Sequence, residues 1–293
     1  MTVVLPHGDG SWGNPVFAGC HRLDGNGEMT GLSWVAECGT LTSPVGLTNT
    51  HSVGVVRDAL VELEVEQRDP ADIYWSLRLV AKTWDGLLND CNGFHVRPEH
   101  VHAAIADAGD GACTVGVLVQ ANHGIRRRFT LNGAPVGAWI DHARVPCPEL
   151  PGLVPVAEGG GSVIVVVATD APLLPHQCQR LAQRAGLGIA RTGGAGEHGS
   201  GDLFIAFATA NRVVASDYGS RPPPVQDVRM LSDSFIDSLF HATVEATEEA
   251  IVNAMVAAQT MTGRDDVTAH ALPHDLLVKA LDKHGLRSPV PDL

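Results

Sequence analysis

The sequence predicts a layered domain of the α/β or α+β class. Short β-branched runs alternate along the chain with amphipathic helical stretches, as they do when helices cover a sheet. The chain has 293 residues and 44% of them are apolar, which is sufficient for a sizeable core. No internal repeat is visible. We therefore expect one domain over residues 1–293 rather than separate modules.

The first half of the chain is predicted to contain two helices, a hairpin and three strands. Apolar residues recur at helical spacing over 52–65, and Pro98 suits the first turn of a helix over 98–108. Asn132-Gly133 is typical of a tight turn and predicts a hairpin over 129–140. The strands are expected at 2–5, 74–82 and 114–121.

The second half opens with a segment rich in proline and glycine, residues 146–161, which has the composition of a linker. A dense β-branched run then predicts a buried strand over 163–169. Gly186 is expected to close a helix over 175–185. A second buried strand is predicted at 203–208, a long amphipathic helix at 231–259 and a short helix at 275–284.

Charge and hydropathy exclude several classes of function. Twenty Lys and Arg against 33 Asp and Glu give a net charge of −13. This argues against nucleic-acid and anionic-membrane partners, which require basic patches. The short basic run Arg126–Arg128 is expected to be a solvated hairpin end. The sequence shows neither a secretory signal pattern nor a bilayer-length apolar run, which predicts a cytoplasmic protein.

The cysteines and histidines predict neither disulfides nor a metal site. Six cysteines are scattered without a C-x-x-C pair, so we expect reduced and mostly buried thiols. The spacing of His95, His100 and His102 matches no metal-ligand pattern, and a solvated loop is the simpler interpretation. We expect no cofactor.

The junction between Gly161 and Ser162 is the first candidate for chemistry. Three glycines place Ser162 at the start of the β-branched run, with no side chain on the preceding residue to block attack on its carbonyl. The chain can then cut itself at this peptide bond and expose an N-terminal serine. The alternative is a glycine-serine linker that runs into a core strand.

Three further polar clusters have both a functional and a structural interpretation. Ser200 and Asp202 form a Ser-x-Asp pair in a glycine-rich loop, which suits a hydroxyl relay or a turn cap. Asn122, at the end of a predicted strand, can donate an amide hydrogen bond to an oxyanion or simply form a turn. Polar side chains also accumulate over residues 47–54, where a helix N-cap explains part of the pattern.

Taken together, these segments resemble one family over about residues 3–260. The matching motifs are L-T-N-T-H-S-V-G at 47–54, T-W-D-G-L-L-N-D at 83–90, V-G-V-L-V-Q-A-N at 115–122, the strand after Gly161-Ser162, and G-S-G-D at 199–202. They are similar to the L-aminopeptidase/D-esterase family of self-processing serine hydrolases, which includes the β-aminopeptidases.

The resemblance implies a fold, a cleavage and a set of roles. The fold is an αββα four-layer sandwich like that of N-terminal-nucleophile hydrolases, cut into an α chain (1–161) and a β chain (162–293). Ser162 is then the nucleophile, Ser200 and Asp202 its supporting serine and carboxylate, and Asn122 the oxyanion donor. The substrates are short peptides, amides or esters, and the αβ units form a homo-oligomer.

This sequence departs from the family pattern in two places. Many relatives have glutamate where Asp202 stands, so that the carboxylate here is one methylene shorter. Relatives also carry several dozen residues before Thr2, and the strand at 2–5 starts without a preceding turn, which predicts a truncated gene start.

Two other functions remain open at this point. One is a non-catalytic small-molecule-binding or assembly protein that retains the fold. The other is an acyltransferase on a similar self-cleaving scaffold, against which the serine argues, since those enzymes use a threonine nucleophile.

Overall fold

A computed structural model describes residues 1–9, 14–69, 75–106, 115–148, 160–211 and 224–286. Two sheets, a small hairpin and seven helices form in these ranges. The strands are β1 Thr2–Val4, β2 Pro6–Asp9, β3 Val16–Arg22, β4 Thr40–Leu41, β5 Val45–Asn49, β6 Leu79–Thr83, β7 Val115–Asn122, β8 Ser162–Thr169, β9 Gly201–Ala208, β10 Met261–Thr262 and β11 Thr268–Ala269. The helices are α1 Leu32–Cys38, α2 Val53–Glu66, α3 Pro98–Ala106, α4 Val136–Trp139, α5 Pro175–Arg191, α6 Asp237–Ala257 and α7 His274–Lys283.

The two sheets stack face to face between two layers of helices. One sheet has the strand order β1-β5-β6 and the other β4-β3-β9-β8-β7. Apolar side chains of β5, β6, β8 and β9 form the core between the sheets. Helices α5 and α6 cover the outer face of the larger sheet, and α2 and α3 cover the smaller one. The four layers confirm the αββα sandwich that the resemblance implied.

Strand β8 is an inner strand of the larger sheet, between β9 and β7. It is parallel to β9 and antiparallel to β7, and the residues Val163 to Val167 are almost completely buried on both faces. A parallel strand that is covered on both sides is expected to be apolar without alternation, as this one is. The predicted strand at 163–169 is thus confirmed, and Ser162 is its first residue.

The helix predicted at 175–185 does not end at Gly186, because α5 continues to Arg191. The reason is packing against α6. A Cβ on Gly188 would lie 2.7 Å from the Cβ of Thr247 and 2.7 Å from the carbonyl oxygen of Val244, so a glycine lets the two helices approach closely. Gly188 serves helix contact, and neither glycine ends the helix.

The helix predicted at 231–259 begins later, at Asp237, after a 3₁₀ turn at Asp233–Phe235. The apolar spacing of this segment predicts a buried face that includes Phe235 and Leu239, but Phe235 is exposed. The buried face instead includes Thr243 and Thr247. Their hydroxyls donate to carbonyl oxygens one turn earlier, each at 2.7 Å, which satisfies them inside the core.

The hairpin predicted at 129–140 is also wrong. A single bridge between Leu131 and Ala134 closes the Asn132-Gly133 turn, and the short helix α4 follows it. The basic run Arg126–Arg128 is a 3₁₀ turn rather than a hairpin end. The strand expected at 74–82 is the shorter β6, while most of the expected linker, residues 149–159, lies outside the described residues.

Candidate active site

Ser162 lies at one end of the larger sheet, next to the residue that follows β6 of the smaller sheet. It is the first residue of β8 and is only 1% exposed. The strand register places it opposite Asn122, the last residue of β7, and beside Gly201, the first residue of β9. Because these three strands converge here, residues distant in the sequence meet at the amino end of β8.

The backbone of Trp84 joins the candidate nucleophile to the candidate oxyanion donor. Its N–H donates to the Oγ of Ser162 at 3.2 Å, and its carbonyl oxygen accepts from the Nδ2 of Asn122 at 2.8 Å. Trp84 directly follows β6, so the smaller sheet contributes to the site through the backbone. A backbone donor fixes the hydroxyl oxygen and leaves its proton available for transfer to a base.

Ser200 and Asp202 form a buried pair on the side of β8 that pairs with β9. The Ser200 hydroxyl donates to Asp202 Oδ1 at 2.6 Å, and the same oxygen accepts the backbone N–H of Val163 at 3.1 Å. Asp202 lies within β9 rather than in the preceding loop. Among the described residues, the hydrogen bonds of this pair reach the backbone next to Ser162 and not its Oγ.

Burial raises the pKa of the Asp202 carboxyl above its ordinary value. The Ser200 hydrogen bond opposes this shift, and the nearby carboxylate of Asp24 adds to it. A carboxyl whose charged form is disfavoured in this way is a better proton acceptor than an ordinary aspartate.

Hydrogen bonding also fixes the peptide bond that precedes Ser162. The carbonyl oxygen of Gly161 accepts the backbone N–H of Gly201 at 3.1 Å. A Cβ on Gly161 would collide with the carbonyl of Asn122 and approach the Cα of His123 to 3.1 Å. Only a glycine fits at this point, and its carbonyl is already polarised by a backbone donor.

Two segments that the sequence interpretation missed hold the loop before Ser200. The Asn26 side chain donates to the carbonyl of Gly199 at 2.8 Å, and its backbone N–H donates to Ser200 at 3.2 Å. On the other side, His123 Nε2 lies 3.0 Å from the Thr192 hydroxyl.

The tautomer of His123 follows from that contact. The Thr192 hydroxyl donates to the carbonyl of Ile189 at 2.9 Å, so the imidazole must donate through Nε2–H. Burial lowers the pKa of His123 to about 4, so it is neutral at physiological pH. His123 therefore links the end of β7 to the loop before Ser200 as an uncharged donor.

The candidate metal-ligand histidines do not converge. His95 contacts Asp90 at 3.2 Å, and His100 accepts the backbone N–H of Arg97 at 3.0 Å. The described part of the chain contains no group of three or more His, Cys, Asp or Glu that could hold a metal ion. Nor does it contain a helix long and apolar enough to cross a membrane.

Comparison with known proteins agrees with this geometry. The model of peptidase family S58 matches residues 1–113 and 107–269. A β-peptidyl aminopeptidase of Sphingosinicella microcystinivorans is 42% identical over 97% of this chain and 80% of its own length. One from Sphingosinicella xenopeptidilytica is 33% identical over 96% of this chain and 78% of its own. The chain belongs to peptidase family S58.

Solved structures extend the agreement to the S58 fold. A Burkholderia sp. β-aminopeptidase superposes with a TM-score of 0.86 at 41% identity, over 98% of this chain and 86% of that one. The L-aminopeptidase D-Ala-esterase/amidase of Ochrobactrum anthropi gives 0.82 at 36% identity, over 98% and 86%. The latter is described as a prototype of the serine aminopeptidases and a variant of the Ntn hydrolase fold. This S58 chain is accordingly a hydrolase with aminopeptidase function, and the non-catalytic alternative is not favoured.

Proposed function

We propose that the chain cuts itself between Gly161 and Ser162, and that the exposed Ser162 is the nucleophile of the aminopeptidase. The observation that supports this best is that both partners of the cleavage step are fixed. The Oγ of Ser162 is held by the N–H of Trp84, and the carbonyl of Gly161 is held by the N–H of Gly201. Nucleophile and carbonyl belong to adjacent residues in a buried strand end, so little orientational freedom remains to be lost.

The cleavage proceeds by transfer of an acyl group within the chain. Attack by Oγ on the Gly161 carbonyl carbon forms an ester and breaks the amide, and the hydroxyl proton passes to the leaving nitrogen of Ser162. Water then hydrolyses the ester and leaves a carboxylate on Gly161. The new α-amine has an ordinary pKa near 8, so an appreciable neutral fraction is available as a base at neutral pH.

In turnover, Ser162 attacks the first carbonyl of a short peptide, amide or ester. Asn122 donates to the oxyanion with the amide hydrogen that Trp84 does not occupy, a contribution of about 3 kcal/mol for such a donor. Asp202 accepts the Ser200 hydroxyl and the backbone N–H of Val163, so the pair holds the strand of the nucleophile and places a carboxylate nearby that can accept a proton. The names of the relatives make β-aminoacyl peptides the first substrates to test.

Mass spectrometry of the purified protein tests the proposal. The wild type should contain two chains, 1–161 and 162–293, and should hydrolyse aminoacyl p-nitroanilides. Ser162→Ala should remain intact and inactive. Ser43→Ala is the matched control, because Ser43 is equally buried but donates to the carbonyl of Pro44, and it should be cut normally. An uncut wild type would contradict the proposal.

The proposal also includes a homo-oligomer of αβ units in the cytoplasm. The exposed Trp34 and Trp75 rings pack edge to face at 5.9 Å, and exposed aromatic pairs of this kind are common at interfaces. The five cysteines in the described ranges are free, which suits a reducing compartment. Light scattering measures the oligomeric state directly.

A further inference from the structure

A pair of polar side chains lies beside the nucleophile and is not used by the mechanism above. Asn49 is the last residue of β5, and Asp85 follows the neighbouring strand β6 by two positions. The Nδ2 of Asn49 donates to Asp85 Oδ2 at 3.2 Å. Between β6 and Asp85 lies Trp84, whose backbone contacts both Ser162 and Asn122. The pair is therefore next to the residue whose backbone contacts the candidate reacting groups.

Each member of this pair has one oxygen without a donor. Oδ1 of Asn49 and Oδ1 of Asp85 are both buried and have no hydrogen-bond partner among the described residues. Rotating the Asn49 amide by 180° does not resolve this, since its oxygen would then face the carboxylate. A buried acceptor without a donor is unfavourable, and more so when it is charged. The pair is thus complete only when a donor-rich group joins it.

The chemistry of the pair selects a cation that carries N–H groups. A carboxylate and an amide oxygen present negative charge and two acceptors, which matches the charge and three donors of a primary ammonium. A hard divalent metal ion needs six or more oxygen ligands, and the described residues contain no group of three or more His, Cys, Asp or Glu that could hold one. A primary ammonium is the group that an aminopeptidase substrate brings to its active site.

We propose that Asp85 and Asn49 bind the ammonium of the substrate's N-terminal residue. This rests on the proposed function, in which Ser162 attacks the carbonyl of that residue. In α- and β-aminoacyl groups the ammonium is only one or two carbons from the carbonyl. The ammonium must therefore bind close to Ser162, as a site next to Trp84 does. Asp85 supplies the charge, and Asn49 orients the carboxylate and adds the second acceptor.

Two sources of ammonium have to be distinguished. Besides the substrate, cleavage of the chain would create an α-amine on Ser162 itself. That nitrogen lies in the strand ladder opposite Asn122, whereas the Oγ of Ser162 points to Trp84. A role for Asp85 toward the α-amine would affect every substrate equally, but a role toward the substrate would affect only substrates with an amine.

The experiment compares the p-nitrophenyl esters of alanine and propionic acid, which differ only in the amine. Wild type should prefer the alanyl ester. Asp85→Asn should lower kcat/KM for the alanyl ester by about 30-fold or more, the usual result of removing one partner of a buried charge pair. It should change the propionyl ester by less than about 2-fold. Asp90→Asn removes an exposed carboxylate of the same segment and should change neither.

Cleavage at Gly161–Ser162, followed by mass spectrometry, separates this inference from the proposed function. If Asp85→Asn is cut normally but keeps its preference for the alanyl ester, or loses both activities equally, the ammonium site is overturned. A wild type that is neither cut nor active overturns the proposed function itself. Should Asp85→Asn fail to fold, Asn49→Leu provides the second test, and only its alanyl activity should fall.

Discussion

Replacing Gly161 with alanine should slow self-cleavage strongly. The added Cβ would strike the carbonyl of Asn122, with the carbonyl carbon at 2.9 Å and the Cα of His123 at 3.1 Å. Ordinary Cβ contacts begin near 3.4 Å, so the strands must separate by at least 3.4 − 2.9 = 0.5 Å, and by more to clear the oxygen. A displacement approaching 1 Å at a reacting centre costs about 10²-fold in rate. We expect a loss of between about 10-fold and 100-fold.

The assay is the rate at which freshly folded precursor converts to two chains, followed by mass spectrometry. Gly199→Ala is the matched control, because its Cβ would meet only the Cα of Gly160, at 3.9 Å. It should be cut at the wild-type rate. If Gly161→Ala were cut as fast as Gly199→Ala, the close approach of Gly161 to β7 would have no part in positioning the carbonyl.

Three further predictions concern stability and pH. Gly188→Ala should destabilise the protein by about 1–3 kcal/mol because its Cβ meets Thr247. Gly186→Ala, whose Cβ would make only ordinary contacts of 3.6 Å with Phe204 and 3.8 Å with Leu23, should stabilise the same helix by about 0.5–1 kcal/mol. Denaturant titration measures both changes, and equal effects would refute the packing argument. The pKa of Asp202 is raised in the folded state, so the wild type loses stability as pH rises through that pKa. Asp202→Asn should therefore gain in Tm relative to the wild type with rising pH, and its self-cleavage should slow. A Tm difference that does not change with pH would speak against the shift. The pKa of His123 is lowered to about 4, so its contribution to the stability of the fold is lost as pH falls from about 6.5 toward 4. His123→Gln should therefore gain stability relative to the wild type over that pH range. If thermal melts show the same Tm difference between the two proteins at every pH, a buried neutral imidazole is excluded.

Elements with a strong local pattern were predictable from the sequence. The β-branched run that forms β8 and the apolar periodicity of α2 lie within a residue or two of the observed elements. Both elements are predicted by the spacing of apolar residues within one short segment, because such a segment buries a continuous face. The errors arose where a residue type had a second use, as with the buried threonines of α6 and the glycines of α5.

That the predicted site residues lie close together could be expected from the sequence, but their contacts could not. The sequence singled out Ser162, Ser200, Asp202 and Asn122, and the structure gathers them around the start of β8. No local sequence pattern shows which backbone N–H will donate to a serine hydroxyl of the other sheet. The contacts of the Trp84 backbone and of the Asn49–Asp85 pair were therefore missed, although both belong to motifs that support the resemblance.

The sequence by itself determined a layered domain of strands and helices, the family and the position of the glycine-serine junction, because these depend on local periodicity and on residue types in order. Only the tertiary structure decided which atoms surround that junction. Stacking the two sheets brings the ends of β5, β6 and β7 to the start of β8, and hydrogen bonding there operates over about 3 Å between residues as far apart in the chain as Trp84 and Ser162. Such contacts are set by the packing of whole layers, which no short stretch of sequence specifies.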